Sequence, residues 1–229
     1  MLTHGPWTAV PGLRHGFLEA RECTGSGGWD AVVARAGSPV PLVVPRQVHG
    51  VRVVAAPASA ADERPEADGL VVAAPGRLVG VLTADCVPVL LLDRRRAVAA
   101  AVHAGWRGAA AGVLEAAVSQ VSALHGTAPA ELEAAIGPAV GGCCYEVGPE
   151  VGEAFRARTG DLTAAAWHEG AARSHVDLRL AVSLLLRAAG VTDVAILGPC
   201  TVCGPGYHSF RRDGAGTGRQ LSFVGWAPR

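Results

Sequence analysis

The 229-residue chain has no excess of charge of either sign, because 20 basic residues balance 20 acidic residues. It also has no lysine, so every basic side chain other than histidine is an arginine. Proteins that bind nucleic acid in general carry a basic excess. The balanced charge therefore argues against a nucleic-acid partner.

The sequence also lacks a long apolar run. The longest, residues 87–92, falls well short of the roughly 18 residues that a bilayer-spanning helix needs. The first residues show neither the basic region nor the apolar region of a secretory signal. We therefore expect a cytoplasmic protein with no membrane partner. In a reducing compartment, buried, metal-binding or catalytic roles are favoured over disulfides for the six cysteines, which are Cys23, Cys86, Cys143, Cys144, Cys200 and Cys203.

Short apolar segments separated by glycine and proline predict strands. Several of them are apolar at every position instead of alternating, so we expect both faces of their sheet to be covered. The predicted strands are residues 40–44, 51–54, 70–73, 78–82, 87–92, 97–102, 132–136 and 191–197.

Helices are predicted over residues 107–124 and 175–189, each with an apolar stripe and a glycine after its end, and over 149–158. Ser174 is the candidate N-cap of the second. Residues 58–67 are predicted to form an exposed loop, and residues 204–218 an ordered loop. The chain is thus predicted to be one mixed α/β domain over residues 1–229, with covered sheets.

A histidine or cysteine stands at the end of three predicted strands. Taken singly, Cys86 is as readily a buried thiol, His103 a core histidine and His49 a solvated turn residue. Taken together, two imidazoles and one thiolate are a sufficient ligand set for Zn²⁺. Three protein ligands leave a fourth position open for water or substrate, as in catalytic zinc sites. The three residues are therefore a candidate metal site.

Two arginine-bearing segments are candidate anion sites. Arg107 stands where a strand passes into a helix, so a forked guanidinium lies near free backbone N–H groups. Gly105 and Gly108 are interpreted as the tight turn of that junction. Residues 209–220 (SFRRDGAGTGRQ) are typical of a loop that closes on an anionic or polar ligand. The alternative is a solvated basic turn held by Arg–Asp pairs.

A second constellation competes for zinc. HVD at 175–177 and PCTVC at 199–203 resemble the nucleobase deaminase pattern H-x-E…P-C-x-x-C. Asp in place of Glu shortens the reach of the acid/base group, and GPG at 204–206 stands where that pattern has a helix. Cys200 and Cys203 are also compatible with a structural zinc site that Cys143 and Cys144 would complete. The alternative is that these cysteines are simply buried thiols.

Five groups of segments, in this order along the chain, resemble the YfiH family. Its members are described as peptidoglycan editing factors, as polyphenol oxidoreductases ("laccases") and as purine nucleoside phosphorylases. The segments are QVHG (47–50), TADCVP (83–88), HAGWRG (103–108), IGP (136–138) with CCYEVG (143–148), and SFRRDG (209–214) with TGR (217–219).

The resemblance implies zinc on His49, Cys86 and His103, and a fold of mixed sheets flanked by helices, related to the cytotoxic-necrotizing-factor-like hydrolases. It implies phosphorolysis of adenosine, inosine and methylthioadenosine, and deamination of adenosine, with a nucleoside and phosphate as small-molecule partners. Alternatives are an amide hydrolase that edits muramyl-L-serine precursors of peptidoglycan, a copper-dependent polyphenol oxidase, and a wall-associated binding protein without activity. The resemblance does not imply zinc binding by Cys200 and Cys203.

Roles follow for residues beside the candidate metal site. Asp85, next to Cys86, is the candidate proton shuttle. Arg107 and Arg211 are predicted to neutralise and orient phosphate, and Gln47 is predicted to contact substrate.

Aromatic residues make up only 5% of the chain, so few side chains can stack on a base. His208 also stands where the family more often has an aromatic residue. The candidates for stacking are Tyr145, Tyr207 and Phe210.

Overall fold

The strands of the computed structural model form three sheets, counted over the residues that the structure describes, 1–57, 64–168 and 173–228. In chain order they are β1 (Leu13–Phe17), β2 (Leu42–Val43), β3 (Val53–Ala55), β4 (Gly69–Val72), β5 (Arg77–Thr83), β6 (Val87–Asp93), β7 (Val98–Ala104), β8 (Glu133–Ile136), β9 (Glu146–Val147), β10 (Trp167–His168), β11 (Ser174–Val176), β12 (Asp193–Ile196) and β13 (Gln220–Trp226).

The α-helices lie mainly between the later strands. They are α1 (Gly5–Thr8), α2 (Gly28–Arg35), α3 (Trp106–Ala111), α4 (Val113–His125), α5 (Pro149–Thr159), α6 (Leu178–Ala188) and α7 (Phe210–Asp213). Over the described ranges, none of them has the length and apolar character needed to cross a bilayer.

A six-stranded mixed sheet with the order β12-β8-β6-β7-β4-β3 crosses the molecule. Its central pair, β6 and β7, is antiparallel and in register over the full length of both strands. Every residue of both strands is buried. On β6, Leu90 and Leu92 face one apolar cluster and Val89 and Leu91 face another. The continuous apolar pattern of these strands thus reflects a sheet that is covered on both faces, as predicted.

A four-stranded mixed sheet with the order β1-β13-β5-β2 packs face to face on the six-stranded sheet. The apolar layer between them contains Val79 and Val224 from the smaller sheet and Leu70 and Leu90 from the larger one. Helix α2 packs on the outer face of the smaller sheet. Helices α3, α4, α5 and α6 cover the outer face of the larger one. A small antiparallel sheet, β10-β11-β9, lies beside these helices. The predicted mixed fold of covered sheets and helices is confirmed.

The helix predicted over 107–124 is wrong in one respect, because it is two helices. Gly112 has a left-handed backbone (φ 106°) and separates α3 from α4. Arg158 of α5 holds the break: its guanidinium donates to the Ala109 and Ala110 carbonyls at the end of α3. An interior glycine is tolerated in many helices, so the apolar stripe alone did not reveal the break.

The helix predicted over 175–189 begins later, at Leu178. Residues Ser174–Val176 form β11 instead, so Ser174 is not the N-cap. Asp177 is the N-cap, because its Oδ1 accepts hydrogen bonds from the N–H groups of Arg179 and Leu180.

The predicted strands are all present with shifted ends, and the segment 40–44 is a strand only at Leu42–Val43. Five strands were not predicted: β1 and β13, which form half of the four-stranded sheet, and β9, β10 and β11, which form the three-stranded sheet. Of the loop predicted at 58–67, residues 58–63 lie outside the described part of the chain. The segment 204–218 is an ordered loop that also contains the short helix α7.

Candidate metal centre and substrate cavity

His103, at the end of β7, is oriented by a buried carboxylate. Its Nδ1 lies 2.8 Å from Oδ1 of Asp68, which is fully buried, and its backbone N–H donates to the Asp68 carbonyl at 2.7 Å. A carboxylate on one ring nitrogen sets the tautomer and leaves the other nitrogen available as a ligand. Asp68 therefore presents Nε2 of His103 to the centre of the site.

The same carboxylate holds the turn that carries His49. Asp68 accepts hydrogen bonds from three successive backbone N–H groups, those of Val48, His49 and Gly50, at 3.3, 3.0 and 2.7 Å. His49 has a left-handed backbone (φ 60°), which a non-glycine residue adopts only where surrounding contacts hold it. One aspartate thus positions both histidines.

Cys86 lies where the chain crosses from one large sheet to the other. Strand β5 of the smaller sheet ends at Thr83, and β6 of the larger sheet begins at Val87. The Cys86 Sγ lies 3.9 Å from Nε2 of His49. The crossing segment brings the thiol to the two histidines.

The backbone of Gly105 closes this group. A Cβ on Gly105 would lie 3.0 Å from the His49 ring and 3.2 Å from the Cys86 sulfur. A Cβ on Gly108 would lie 2.8 Å from the Gly50 carbonyl oxygen. Gly105 is the N-cap of α3 and Gly108 lies within that helix, so the two glycines do not form a separate tight turn. Gly108 needs glycine because the Gly50 backbone lies so close, and Gly105 favours it because of its tight contacts with the donor side chains.

The three donor atoms of His49, Cys86 and His103 lie within 4.8 Å of one another. In tetrahedral zinc coordination, a sulfur and a nitrogen ligand are about 3.6 Å apart, close to the spacing observed here. Burial opposes the thiolate, but hydrogen bonds from His103 and His49 outweigh it and lower the pKa of Cys86 to about 6. Burial likewise opposes the charged His103, but Asp68 and Cys86 raise its pKa to about 9. The donor chemistry fits a borderline metal such as zinc.

The donor group opens into a cavity of about 870 Å³. Binding sites for small molecules commonly have volumes of a few hundred to a thousand Å³. The cavity is also lined by aromatic and arginine side chains, among them Trp106, Tyr145, Phe210, Arg107, Arg211 and Arg219. It therefore combines stacking surfaces with positive charge.

Arg107, at the start of α3, is available to an anion. Its guanidinium stacks over the Trp106 ring at 4.3 Å from the centroid. Across the described ranges, no carboxylate or carbonyl accepts a hydrogen bond from it. Stacking on the indole restricts the guanidinium while leaving its forked donors free.

Asp85 is buried, and its carboxylate is already engaged. It accepts hydrogen bonds from the hydroxyls of Thr201 and Ser209, at 2.6 and 3.1 Å, and from the Arg211 N–H at 2.6 Å. Asp85 also has a positive φ of 86°. These contacts tie two C-terminal loops to the segment that carries Cys86.

Arg211, at the start of α7, is held at the edge of the cavity. Its guanidinium donates to the Glu146 carbonyl at 3.0 Å and lies 5.4 Å from the Tyr145 ring centroid. Burial raises the pKa of Tyr145 to about 12, so its phenol stays protonated at neutral pH.

Gln47 lines the cavity, but both ends of its amide bond to the backbone of Leu82. The amide nitrogen donates to the Leu82 carbonyl and the amide oxygen accepts from the Leu82 N–H, each at 2.8 Å. This arrangement joins the turn of His49 to the end of β5. The predicted contact of Gln47 with substrate stays a prediction.

The deaminase-like constellation does not assemble. In the described part of the chain, Cys200 and Cys203 cluster with Cys143 and Cys144, and His175 belongs to no donor group. Asp177 serves as a helix N-cap instead. The resemblance of these segments to the deaminase pattern is therefore a coincidence of spacing.

Asp68, the residue that organises the site, was not among the predicted site residues. Asp68-Gly69 follows the predicted loop and precedes a predicted strand, so the pair is typical of an ordinary turn. A short hydrogen bond across 35 positions of sequence leaves no local pattern.

Two layered sheets thus carry a candidate His–Cys–His metal-binding group in the wall of a cavity. A family described as multi-copper polyphenol oxidoreductase laccase matches residues 29–227. The chain belongs to this family, which is the YfiH family predicted from the motifs.

Relatives within this family carry enzyme names. A purine nucleoside phosphorylase of Deinococcus radiodurans is 41% identical over 180 residues, which cover 78% of this chain and 68% of the relative. The adenosine deaminase RL5, from an unknown prokaryotic organism, is 37% identical over 195 residues, 80% of this chain and 74% of the relative.

Solved structures share the fold. A Neisseria meningitidis protein of family DUF152 has a TM-score of 0.81 at 31% identity, and the match covers 97% of both chains. The YfiH protein of Bacillus licheniformis has a TM-score of 0.75 at 30% identity, over 81% of this chain and 74% of that one.

Proposed function

We propose that this chain is a metal-dependent purine nucleoside enzyme that phosphorolyses adenosine, inosine and methylthioadenosine and deaminates adenosine. The observation that carries the proposal is the donor group of His49, Cys86 and His103 in the wall of a cavity that also presents Arg107. The names of the relatives supply the substrate class.

Zn²⁺ is the proposed cofactor, held by His49, Cys86 and His103. A Cβ on Gly105 would contact the His49 ring and the Cys86 sulfur, so the glycine leaves these side chains the space to close on an ion. When bound, zinc supplies Lewis-acid activation of water or of a substrate oxygen near neutral pH.

Phosphate binding is the proposed role of Arg107 and Arg211. In phosphorolysis, a phosphate oxygen forms a bond to C1′ of the ribose while the bond to the purine nitrogen breaks. Forked guanidinium donors match the oxygens of phosphate and neutralise its charge. Arg107 is free to take this role, and Arg211 is braced beside it by Glu146 and Asp85.

Deamination of adenosine needs a proton shuttle. Asp85 in this role stays a prediction, and its three hydrogen bonds favour a positioning role instead. In phosphorolysis, the departing purine must gain a proton. The protonated phenol of Tyr145 lines the same cavity. Exposed Phe210 and half-buried Trp106 offer surfaces on which the base can stack.

The test is the phosphate-dependent release of hypoxanthine from inosine by purified protein. Removing the hydrogen-bond partner of a metal ligand typically lowers activity roughly 10–100-fold. We expect His103→Ala, which removes a ligand itself, to lower the rate by more than that. His175→Ala, a half-buried histidine outside the donor group, is the matched control. Equal rates for His103→Ala and the wild type would sink the proposal.

A second arm addresses phosphate. Arg107→Met should raise the KM for phosphate more than that for inosine, because the variant keeps the side-chain bulk and loses the donors. Arg187→Met, on α6 and outside the cavity lining, is the control. A larger effect on inosine than on phosphate would remove Arg107 from the phosphate site.

Copper is the alternative that the family description favours. Imidazole and thiolate ligands also suit copper, so the donor set does not decide between the metals. Metal analysis of the purified protein separates the two. Copper content that tracks phenol oxidation would replace the nucleoside proposal.

A further inference from the structure

A second group of metal-binding side chains lies at the edge of the larger sheet. Strands β8 and β12 are parallel neighbours, so the segments that follow them leave the sheet at the same edge. A bridge pairs Ala139 with Cys200 and holds these segments side by side. Cys143 and Cys144 follow β8, and Cys200 and Cys203 follow β12. The topology therefore brings together cysteines that lie about 60 residues apart in sequence.

The four sulfur atoms have the spacing of a tetrathiolate. All four lie within 4.8 Å of one another, and Sγ of Cys143 is 3.7 Å from Sγ of Cys203. With Zn–S bonds of about 2.3 Å, the edge of a tetrahedral site is about 3.8 Å. A disulfide has its sulfur atoms about 2.05 Å apart. The observed separation fits thiolates around an ion.

The backbone around the group is shaped for close packing of the sulfurs. The Gly141 N–H donates to the Cys200 sulfur at 3.2 Å. A Cβ on Gly141 would lie 3.2 Å from the Cys200 Cβ and 3.4 Å from the Cys143 sulfur. A Cβ on Gly204 would lie 2.4 Å from the Cys200 carbonyl oxygen, which instead accepts the Gly204 N–H at 2.8 Å. The turn at Gly204 closes only with glycine, and the turn at Gly141 favours it.

We propose that Cys143, Cys144, Cys200 and Cys203 bind one Zn²⁺ ion as a structural site. Four protein ligands complete a tetrahedral zinc site and leave no position open for substrate. Each thiol releases one proton to solvent as the ion binds, and no electrons are transferred.

The ion would hold the loop that positions the segment of Cys86. Thr201, between the two cysteines of this loop, donates its hydroxyl proton to Asp85 at 2.6 Å. The Arg212 guanidinium donates to the Thr201 and Val202 carbonyls, so the neighbouring loop is held as well. The structural site therefore supports the cavity without lining it.

Zinc content measures the proposal directly. Protein purified with reductant and without chelator is analysed for zinc per chain. The double variant Cys143→Ser/Cys203→Ser changes two exposed residues and should lose one equivalent of zinc relative to the wild type. Cys23→Ser, a cysteine outside both donor groups, should lose none. Unchanged zinc in the double variant would overturn the proposal.

Cobalt substitution identifies the ligands. Co²⁺ added to metal-free His103→Ala protein should give intense thiolate-to-cobalt charge-transfer absorption, and the same variant carrying Cys143→Ser/Cys203→Ser should lose it. The cobalt absorption does not depend on nucleoside activity. The structural site would therefore stand even if the proposed enzymatic function proved wrong. Absence of that absorption in fully reduced His103→Ala protein would refute the site. Two disulfides among the four cysteines that persist in the presence of reductant would refute it as well.

Discussion

At the scale of the residue, Asp68 determines the geometry of the candidate metal centre. One carboxylate receives the His103 ring and the backbone of the turn that carries His49. Burial opposes its charge, but hydrogen bonds from His103 and the Gly50 N–H outweigh it and lower its pKa. The carboxylate is therefore ionised at neutral pH and favours ligand binding through Nε2 of His103.

We expect Asp68→Asn to weaken zinc binding by about 10–100-fold, because such a partner orients the ligand and raises its basicity. Competition with a chromogenic chelator measures the affinity. Asp93→Asn is the matched control, since Asp93 is also fully buried and hydrogen-bonded but lies at the far end of β6. An equal loss in both variants would show that Asp68 acts only through the stability of the fold.

Residue types next to apolar segments made His49, Cys86 and His103 a candidate donor group, and the family resemblance implied zinc on the same three residues. The structure places their donor atoms within 4.8 Å of one another. Asp68 was not predictable in the same way. Its role rests on distances across the fold, while its sequence context is that of a turn.

At the scale of the element, a break separates α3, which carries Arg107 at the cavity, from α4. Gly112 ends α3 after six residues, and Arg158 of α5 binds the carbonyls that the break exposes. α4 then packs along β7. The left-handed backbone of Gly112 therefore decides where the short helix ends.

We expect Gly112→Ala to lower the free energy of unfolding by about 1–3 kcal/mol, because a non-glycine residue is strained at a φ of 106°. Urea denaturation followed by circular dichroism measures the change. Gly216→Ala is the control, since Gly216 has no positive φ and no atom within 4 Å of the added Cβ. A change below about 0.5 kcal/mol at Gly112 would contradict the strain.

At the scale of the whole molecule, the two large sheets share one apolar layer, and the site lies where chain segments cross between them. The N-terminal segment adds Trp7 to this shared apolar layer. The His15 ring, on β1, packs edge-on against the Trp7 ring. His15 accepts a hydrogen bond from the His4 N–H at 3.0 Å. The organisation of residues 1–229 as one domain stays a prediction.

This packing makes the stability of the molecule depend on pH. Burial lowers the pKa of His15 from 6.5 to about 4. As the pH falls, His15 is protonated in the unfolded chain before it is protonated in the folded protein. The contribution of His15 to the free energy of unfolding is therefore intact above pH 6.5 and is lost as the pH falls toward 4. Between pH 7.5 and 5, the wild type should lose about 1–2 kcal/mol more of its free energy of unfolding than His15→Gln does.

Urea denaturation at the two pH values measures this difference. His175→Gln is the control, because the His175 ring is only half-buried, in the three-stranded sheet. Equal losses in the wild type and His15→Gln would remove His15 as the cause.

The sequence by itself determined most strands of the two large sheets, the coverage of those sheets, the family and a candidate donor group. These follow from local patterns: apolar segments, strand-end residues and motifs of consecutive letters. Only the tertiary structure decided that Asp68 holds both histidines, that Asp85 braces two loops, and that Cys143 and Cys144 meet Cys200 and Cys203. Each of these depends on which strands become neighbours. That choice is made by burial of the whole apolar surface, and it is not encoded in any short segment.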